Sequence, residues 1–419
     1  MTRQTCKAIP AWTSTSRRTW VIVLACLLVA ARPAVTATQA TTGDRTAGTE
    51  LQALGLYRAE LDAFRKEYGG GRDLPDVPFF QFGMGMRTKQ LFRNGALRDP
   101  VTGTILRQWD ATNTIIVPPE YAVFMATRSG GSVRVFEDEQ GVWIDEQGRK
   151  ALVEGTSRKL HLPAFEGHRY GSILRVLHHE ILINLIEGRP VPNLYVYRKP
   201  WYRDGAMIAM CLKATGNLEL IRDWVLGLTE PYDRNNAGQT EADNLGQVLF
   251  LVSCVADKAH PLVAKVLKEV PKFEVHDPRG VYIKGSSDFS EHPVYQTKWL
   301  KYGLRSLGLE DPYWIPSLAD SYSSLFWMDY RDRHVAGTEA ADRNLYPYLG
   351  WATDHFQRRK LSPISNRDYP LTWEMQASQA NYAGMKVIDP VFAEQKIATP
   401  HTWHAAEVFL YLLDPLLPQ

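Results

Sequence analysis

Trp201-Tyr202-Arg203-Asp204-Gly205-Ala206-Met207-Ile208-Ala209-Met210-Cys211-Leu212 is the stretch on which the fold reading turns. It opens on two aromatics and an Arg-Asp pair, then runs apolar without a proline, which predicts a helix starting near Trp201. The same helical period recurs upstream at 172–186. Downstream it returns at 218–228, 241–255, 261–270, 291–307, 312–326, 346–357, 371–385 and 401–413. Helical runs in pairs joined by short loops predict αα-hairpins, and no tight repeat marks a consensus solenoid. Counted this way, five hairpins follow residue 166. A sixth requires the helix predicted over 51–68, which ends at Gly69-Gly70-Gly71, or one hidden in a loop, and a five-hairpin or open ring is the rival.

Between residues 78 and 162 the texture differs. Short β-prone runs such as Leu91-Phe92-Arg93, Thr114-Ile115-Ile116-Val117 and Val133-Arg134-Val135-Phe136 alternate with turn signals such as Asn94-Gly95 and Gly130-Gly131. This predicts a small antiparallel, sandwich-like β-domain. The expected fold class is therefore mainly α: an (α/α)6 toroid of helical hairpins over 166–419, preceded by an N-terminal helix and β-domain over 51–165. Residues 1–37 read as a cleavable signal peptide. Basic Arg3, Lys7, Arg17 and Arg18 precede an apolar run too short to span a bilayer, and small residues follow. The Arg17-Arg18 pair admits a twin-arginine route, and the expected location is secreted or periplasmic. Residues 38–50, rich in Thr, Ala and Gly, read as a disordered lead-in.

The 48 Lys and Arg against 46 Asp and Glu leave a net charge of +2, so no strong field draws nucleic acid or an anionic membrane. A monomer or homodimer is expected. Cys6 and Cys26 fall in the export segment. Cys211 and Cys254 sit in apolar helical runs, where they are either buried thiols or a bridge between neighbouring helices. Neither a Cys/His cluster nor a phosphate-binding glycine loop is present, so no metal and no cofactor is expected. His178-His179-Glu180 has no second histidine at metalloprotease spacing and reads as packing or surface.

The chemistry concentrates at the starts of alternate helices. Trp201-Tyr202-Arg203-Asp204, Glu241-Ala242-Asp243, Asp288-Phe289-Ser290-Glu291-His292, Tyr346 through Trp351, and His401-Thr402-Trp403-His404 are each dense in carboxylates, aromatics or histidines. Capping accounts for the acids. It does not account for Trp201, Tyr202, Trp351, Trp403, His401 or His404. In a ring of hairpins the inner helices run the same way, so their N-termini would converge on one rim. Asp233-Arg234-Asn235-Asn236 is either a plain turn or a loop reaching that rim.

The Trp201 to Ala206 segment resembles the Trp-aromatic-Arg-Asp opening of a helix in the glucoamylase-like and trehalase-like six-hairpin glycosidases. That resemblance implies an inverting glycoside hydrolase of oligo- or polysaccharides, with Arg203 and Asp204 holding sugar hydroxyls. It also implies a general acid in the 284–292 loop, where Glu291 is the first choice and Asp288 the second. The general base it implies is Glu394, in Phe392-Ala393-Glu394-Gln395, whose spacing to the Pro400 to Trp403 segment is shorter than in the family. Glu374, in Leu371-Thr372-Trp373-Glu374, is the rival base. Trp201, Tyr202, Glu241, Asp243, His292, Trp351, Trp373, His401, Trp403 and His404 complete the expected substrate site. Glycoside cleavage needs such a pair of carboxyl groups, one to protonate the leaving oxygen and one to activate water or attack. Two other readings stay open. One is a polysaccharide lyase or sugar epimerase using Tyr295, His292, His401, His404 and Arg203. The other is a non-catalytic glycan-binding protein.

Overall fold

Turn chemistry and strand alternation build the first half of the chain. A computed structural model describes residues 47–155, 158–316, 318, 361–377 and 380–413. Helix Ala47–Tyr68 buries Leu54, Tyr57, Leu61, Phe64 and Tyr68 along one stripe. Its first turn falls within the expected lead-in, so residues 47–50 are helical rather than disordered. Two antiparallel meanders follow. In the first, Phe80–Phe82, Gln90–Arg93, Ala96–Arg98 and Ile105–Gln108 pair in chain order. Asn94 and Gly95 both take positive φ, as a two-residue hairpin turn requires.

The second meander is a five-stranded sheet of Ala111–Val117, Ala122–Thr127, Ser132–Glu137, Gly141–Glu146 and Arg149–Gly155. Val123, Val135 and Ile144 stand opposite one another in register and turn into the core. The other face carries half-buried Phe124, Arg134, Phe136 and Trp143. There the Lys150 ammonium covers Phe136 and Trp143 at 4.8 and 4.0 Å from the ring centres.

Helix Gly171–Ile183 packs on Thr402–Leu412, that helix on Tyr202–Ala214, that one on Asp243–Val255, and the last on Pro293–Ser306. Two glycines set the closest of these approaches. A Cβ on Gly246 would run into the Trp299 carbonyl, and one on Gly303 into the Gly246 carbonyl oxygen. Leu174, Leu177 and Ile181 share one hydrophobic cluster with Phe80, Phe82 and Val123, so sheets and helices have a common core. The described residues belong to one compact unit.

The expected mainly α toroid is overturned. The described residues are mixed, 38% helical and 23% strand with several antiparallel sheets, and do not form a mainly α toroid. Strands interrupt the region read as hairpins: Glu274–Asp277 pairs with Gly280–Ile283, and Ser286–Ser287 with Ser290–Glu291. Residues 218–228 yield a 3-10 turn and the five-residue helix Arg222–Leu226. Residues 371–385 yield strand Glu374–Met375, paired with Ile397–Ala398, and the 3-10 segment Tyr382–Val387.

The physical reason is that helical spacing in a short apolar run is met equally by a segment buried on more than one side. The 371–373 segment is held extended by a residue far away in the chain. The Leu371 N–H and the Thr372 hydroxyl both donate at 2.5 Å to the buried Glu180 carboxylate. The predicted signal peptide, most of the helix predicted over 312–326, and the one over 346–357 with Trp351 lie outside the described residues. Cys211 is buried, Cys254 is partly buried, and both are free thiols.

Candidate functional site

The decorated helix starts are not scattered. Trp201, Arg203, Asp204, Asp288, Glu374, His401, Trp403 and His404 line one cavity of about 1040 Å³. Trp201 is the extended residue preceding the Tyr202–Ala214 helix. The first turn of that helix is satisfied from outside, because the Tyr202 N–H donates to Asp233 Oδ2 at 2.6 Å. The Tyr202 hydroxyl donates to the Glu230 carbonyl at 2.8 Å, which takes its ring out of the cavity lining.

Arg203 is buried and forked between two carboxylates. Its Nε donates to Asp243 Oδ2 at 2.9 Å and its Nη2 to Glu241 Oε1 at 3.1 Å. Asp243 also accepts from the Ser287 hydroxyl at 2.6 Å, Gln247 Nε2 at 2.9 Å and the Tyr295 hydroxyl at 3.2 Å. Burial pushes its carboxyl up, but Arg203 and these donors outweigh that and hold it below the usual carboxylate range. Glu241 accepts from Asn236 and from the Asp288 N–H. Neither acid lines the cavity; together they brace Arg203 and the hairpin turn that presents Asp288 and Phe289.

Asp288 and Phe289 take φ of 52° and 65°, a strained region for a phenylalanine. The turn leaves Phe289 half exposed against the cavity and sets Asp288 Oδ1 3.3 Å from Asn236 Nδ2.

Two further acids stand in the cavity. Burial pushes the Asp204 carboxyl up to about 7 against the pull of Arg203, and the charges of Glu374 and Asp233 push the same way. Its Oδ1 is 3.5 Å from the Thr402 hydroxyl. Burial also raises Glu374. Tyr197, His404 and Tyr382 oppose that rise, and Asp288 adds to it. Glu374 Oε2 is buried without a hydrogen-bond partner and lies 3.7 Å from His401 Nε2. Burial, then the neighbouring His404, drives His401 far below its ordinary value, so its ring is neutral, and its Nδ1 is also unpartnered. Aromatic walls complete the site. Tyr197 stands edge-on to Trp201 at 6.0 Å and to His401 at 6.2 Å. Trp373 lies behind the lining, stacked on His404 at 6.5 Å.

Besides Tyr202, Glu241, Asp243 and Trp373, which stand outside the lining, three further expected site residues do not reach it. The Ser286–Glu291 pairing turns Glu291 to solvent, where it meets Lys284 Nζ at 2.9 Å, so it does not fit the acid role predicted for it. Glu394 ends the short helix Pro390–Glu394 and is exposed away from the cavity lining. His292 precedes the Pro293–Ser306 helix and sets its ring against Tyr295 at 6.5 Å. Sequence reasoning did not single out Tyr197, Arg198, Lys199 or Asn381, all of which line the cavity. The first three were visible as an aromatic-basic run between Pro192 and Pro200. Arg234, Asn235 and Asn236 of the polar loop reach the cavity as well.

Among the described residues no three His, Cys, Asp or Glu side chains are grouped to hold a metal ion, and no helix is long and apolar enough to cross a membrane. No family model, curated protein or solved structure matches this chain.

Proposed function

We propose that the cavity is the active site of a glycoside hydrolase acting on an oligo- or polysaccharide. The observation that carries this reading is the pair Asp204 and Glu374: a buried and a partly buried carboxyl group in one aromatic-walled cavity, with the charge of Glu374 raising the proton affinity of Asp204. Like-charge pairs of this kind separate into one group that keeps its proton and one that gives it up. Asp204, pushed up to about 7, is the general acid that protonates the departing glycosidic oxygen. Glu374 faces Tyr197, Tyr382 and His404, which favour its charged form, and it is the general base that takes a proton from the attacking water. With water as the nucleophile the anomeric configuration inverts. Trp201, Trp403 and Phe289 offer apolar faces for sugar rings. Asp288, on its rigid turn, holds hydroxyls. The basic-apolar-small order of residues 1–37 supports action outside the cytoplasm.

The unpartnered Nδ1 of neutral His401, beside the Tyr197 phenol, favours a second reading, polysaccharide β-elimination, with His401 taking the proton. One experiment tests both. The purified protein is incubated with a glycan panel in ¹⁸O-labelled water, and reducing ends, ultraviolet absorbance of unsaturated uronic ends and label incorporation are followed. Labelled reducing ends without absorbance are expected. Absorbance without label would replace hydrolysis by elimination.

A further inference from the structure

The cavity's carboxyl groups are only half of its electrostatics. Its wall also holds four cationic side chains, and Arg203 is consumed by Glu241 and Asp243. The other three, Arg198, Lys199 and Arg234, are exposed at the cavity. Among the described residues none of them pairs with a carboxylate. Arg198 acts on Asp99, and Arg234 on Glu269, through charge alone. Arg58, Arg107 and Arg189, also exposed, are instead paired with Asp368, Glu146 and Glu187, while exposed Arg149 on the β-sheet is in no ion pair among the described residues.

The two segments that carry the three cations are tied to each other. Asn235 Nδ2 donates to the Pro200 carbonyl at 2.6 Å, tying the 198–200 segment to the 233–236 turn. In that turn the Asn235 N–H donates to Asp233 Oδ1 at 2.9 Å, and Arg234 sits at φ 55°, an uncommon position for a non-glycine residue. Three exposed cations in no direct ion pair among the described residues, beside a polar cavity, are suited to an anionic ligand.

We infer that the glycan taken by this cavity is anionic, bearing carboxylate or sulfate groups that Arg198, Lys199 and Arg234 engage beside the Asp204 and Glu374 centre. The inference rests on the reading of the cavity as a glycan active site.

The test uses the full chain and hexasaccharides of three kinds: neutral, uronate and sulfated. Turnover and calorimetric binding are measured for the native protein and for R198A/K199A/R234A, whose changes are all on exposed side chains. At least one anionic series should be bound and cleaved in preference to the neutral one. The triple variant should lose about tenfold or more in kcat/KM on that series. Raising ionic strength from about 0.01 to about 1 M, which shortens the screening length from about 30 to about 3 Å, should weaken binding by the native protein far more than by the variant. Which anionic series is taken distinguishes carboxylate from sulfate recognition, and either supports the inference. Cleavage of neutral glycans with equal efficiency and no salt dependence would overturn the anionic inference and leave the hydrolase reading standing. A folded protein that binds no glycan of any kind would overturn both.

Discussion

Replacing Arg203 by methionine tests how the site is held. The guanidinium is 7% exposed, and its partners Glu241 and Asp243 are 2% and 0% exposed. Breaking a buried ion pair by removing one partner costs about 3–5 kcal/mol, because the remaining charge keeps its desolvation penalty. Here two carboxylates are left facing each other, so a loss of about 4 kcal/mol near neutral pH is the expectation.

The pH dependence gives the sharper test. In the native protein the Asp243 carboxyl is held below its ordinary value. Its contribution is therefore present above the unfolded pKa of about 3.9 and is lost as pH falls through the lower folded value. Without Arg203, only the Ser287, Gln247 and Tyr295 donors oppose burial and the charge of Glu241, so the folded carboxyl of the variant should rise above the unfolded value. Its contribution becomes a penalty that grows as pH rises. The stability gap between native and variant should then be widest near about pH 7 and narrow toward about pH 4. Urea unfolding followed by far-ultraviolet circular dichroism at both pH values measures it. Adding Glu241→Gln and Asp243→Asn to the variant should recover part of the loss, since neutral amides tolerate burial better. A gap below about 1 kcal/mol, or one that does not change with pH, would refute the view of Arg203 as the brace of two buried charges.

Other consequences are equally direct. Glu374→Gln should lower kcat about 10²–10⁴-fold with little change in melting temperature, measured on whichever glycan is cleaved. If Asp204 acts as the acid, kcat/KM should fall as pH rises past about 7, and Asp204→Asn should abolish that limb. Glu180 is a buried acid that burial pushes up to about 8 against the donors Thr372 and Leu371. The folded state thus holds its proton more tightly than the unfolded state does. Stability should decline between about pH 4 and about pH 8 by on the order of 5 kcal/mol from this group, and Glu180→Gln should flatten the slope in pH-dependent urea unfolding. Burial raises the Cys254 thiol to about 11, so its alkylation at mildly alkaline pH, followed by peptide mass mapping, should be slower than that of a free thiol.

What the sequence revealed was local, and what it concealed was long-range. Aromatics and histidines at the starts of the Tyr202–Ala214 and Thr402–Leu412 helices stood out because capping alone gives no reason for them, and Trp201, His401, Trp403 and His404 do face one cavity. Hairpin turns such as Asn94-Gly95 were equally legible, since the required backbone sign is written in the residue type. Ring closure was not legible, because the apolar period describes how a segment is buried and not what it pairs with.

The 371–375 stretch shows the consequence. Its spacing reads as helix, yet Glu180 pins Leu371 and Thr372 in an extended path. The Thr372 hydroxyl that donates to Glu180 also accepts the His401 N–H at 3.0 Å, fixing the residue before the Thr402–Leu412 helix. Two residues further along, Glu374 enters strand pairing with Ala398 and comes within 3.7 Å of His401. In a helix, Glu374 would leave this register. The feature that defeats the helical reading is therefore the one that brings the candidate base to the site, and Thr372→Val, which removes the bridging hydroxyl, should cost activity as well as stability.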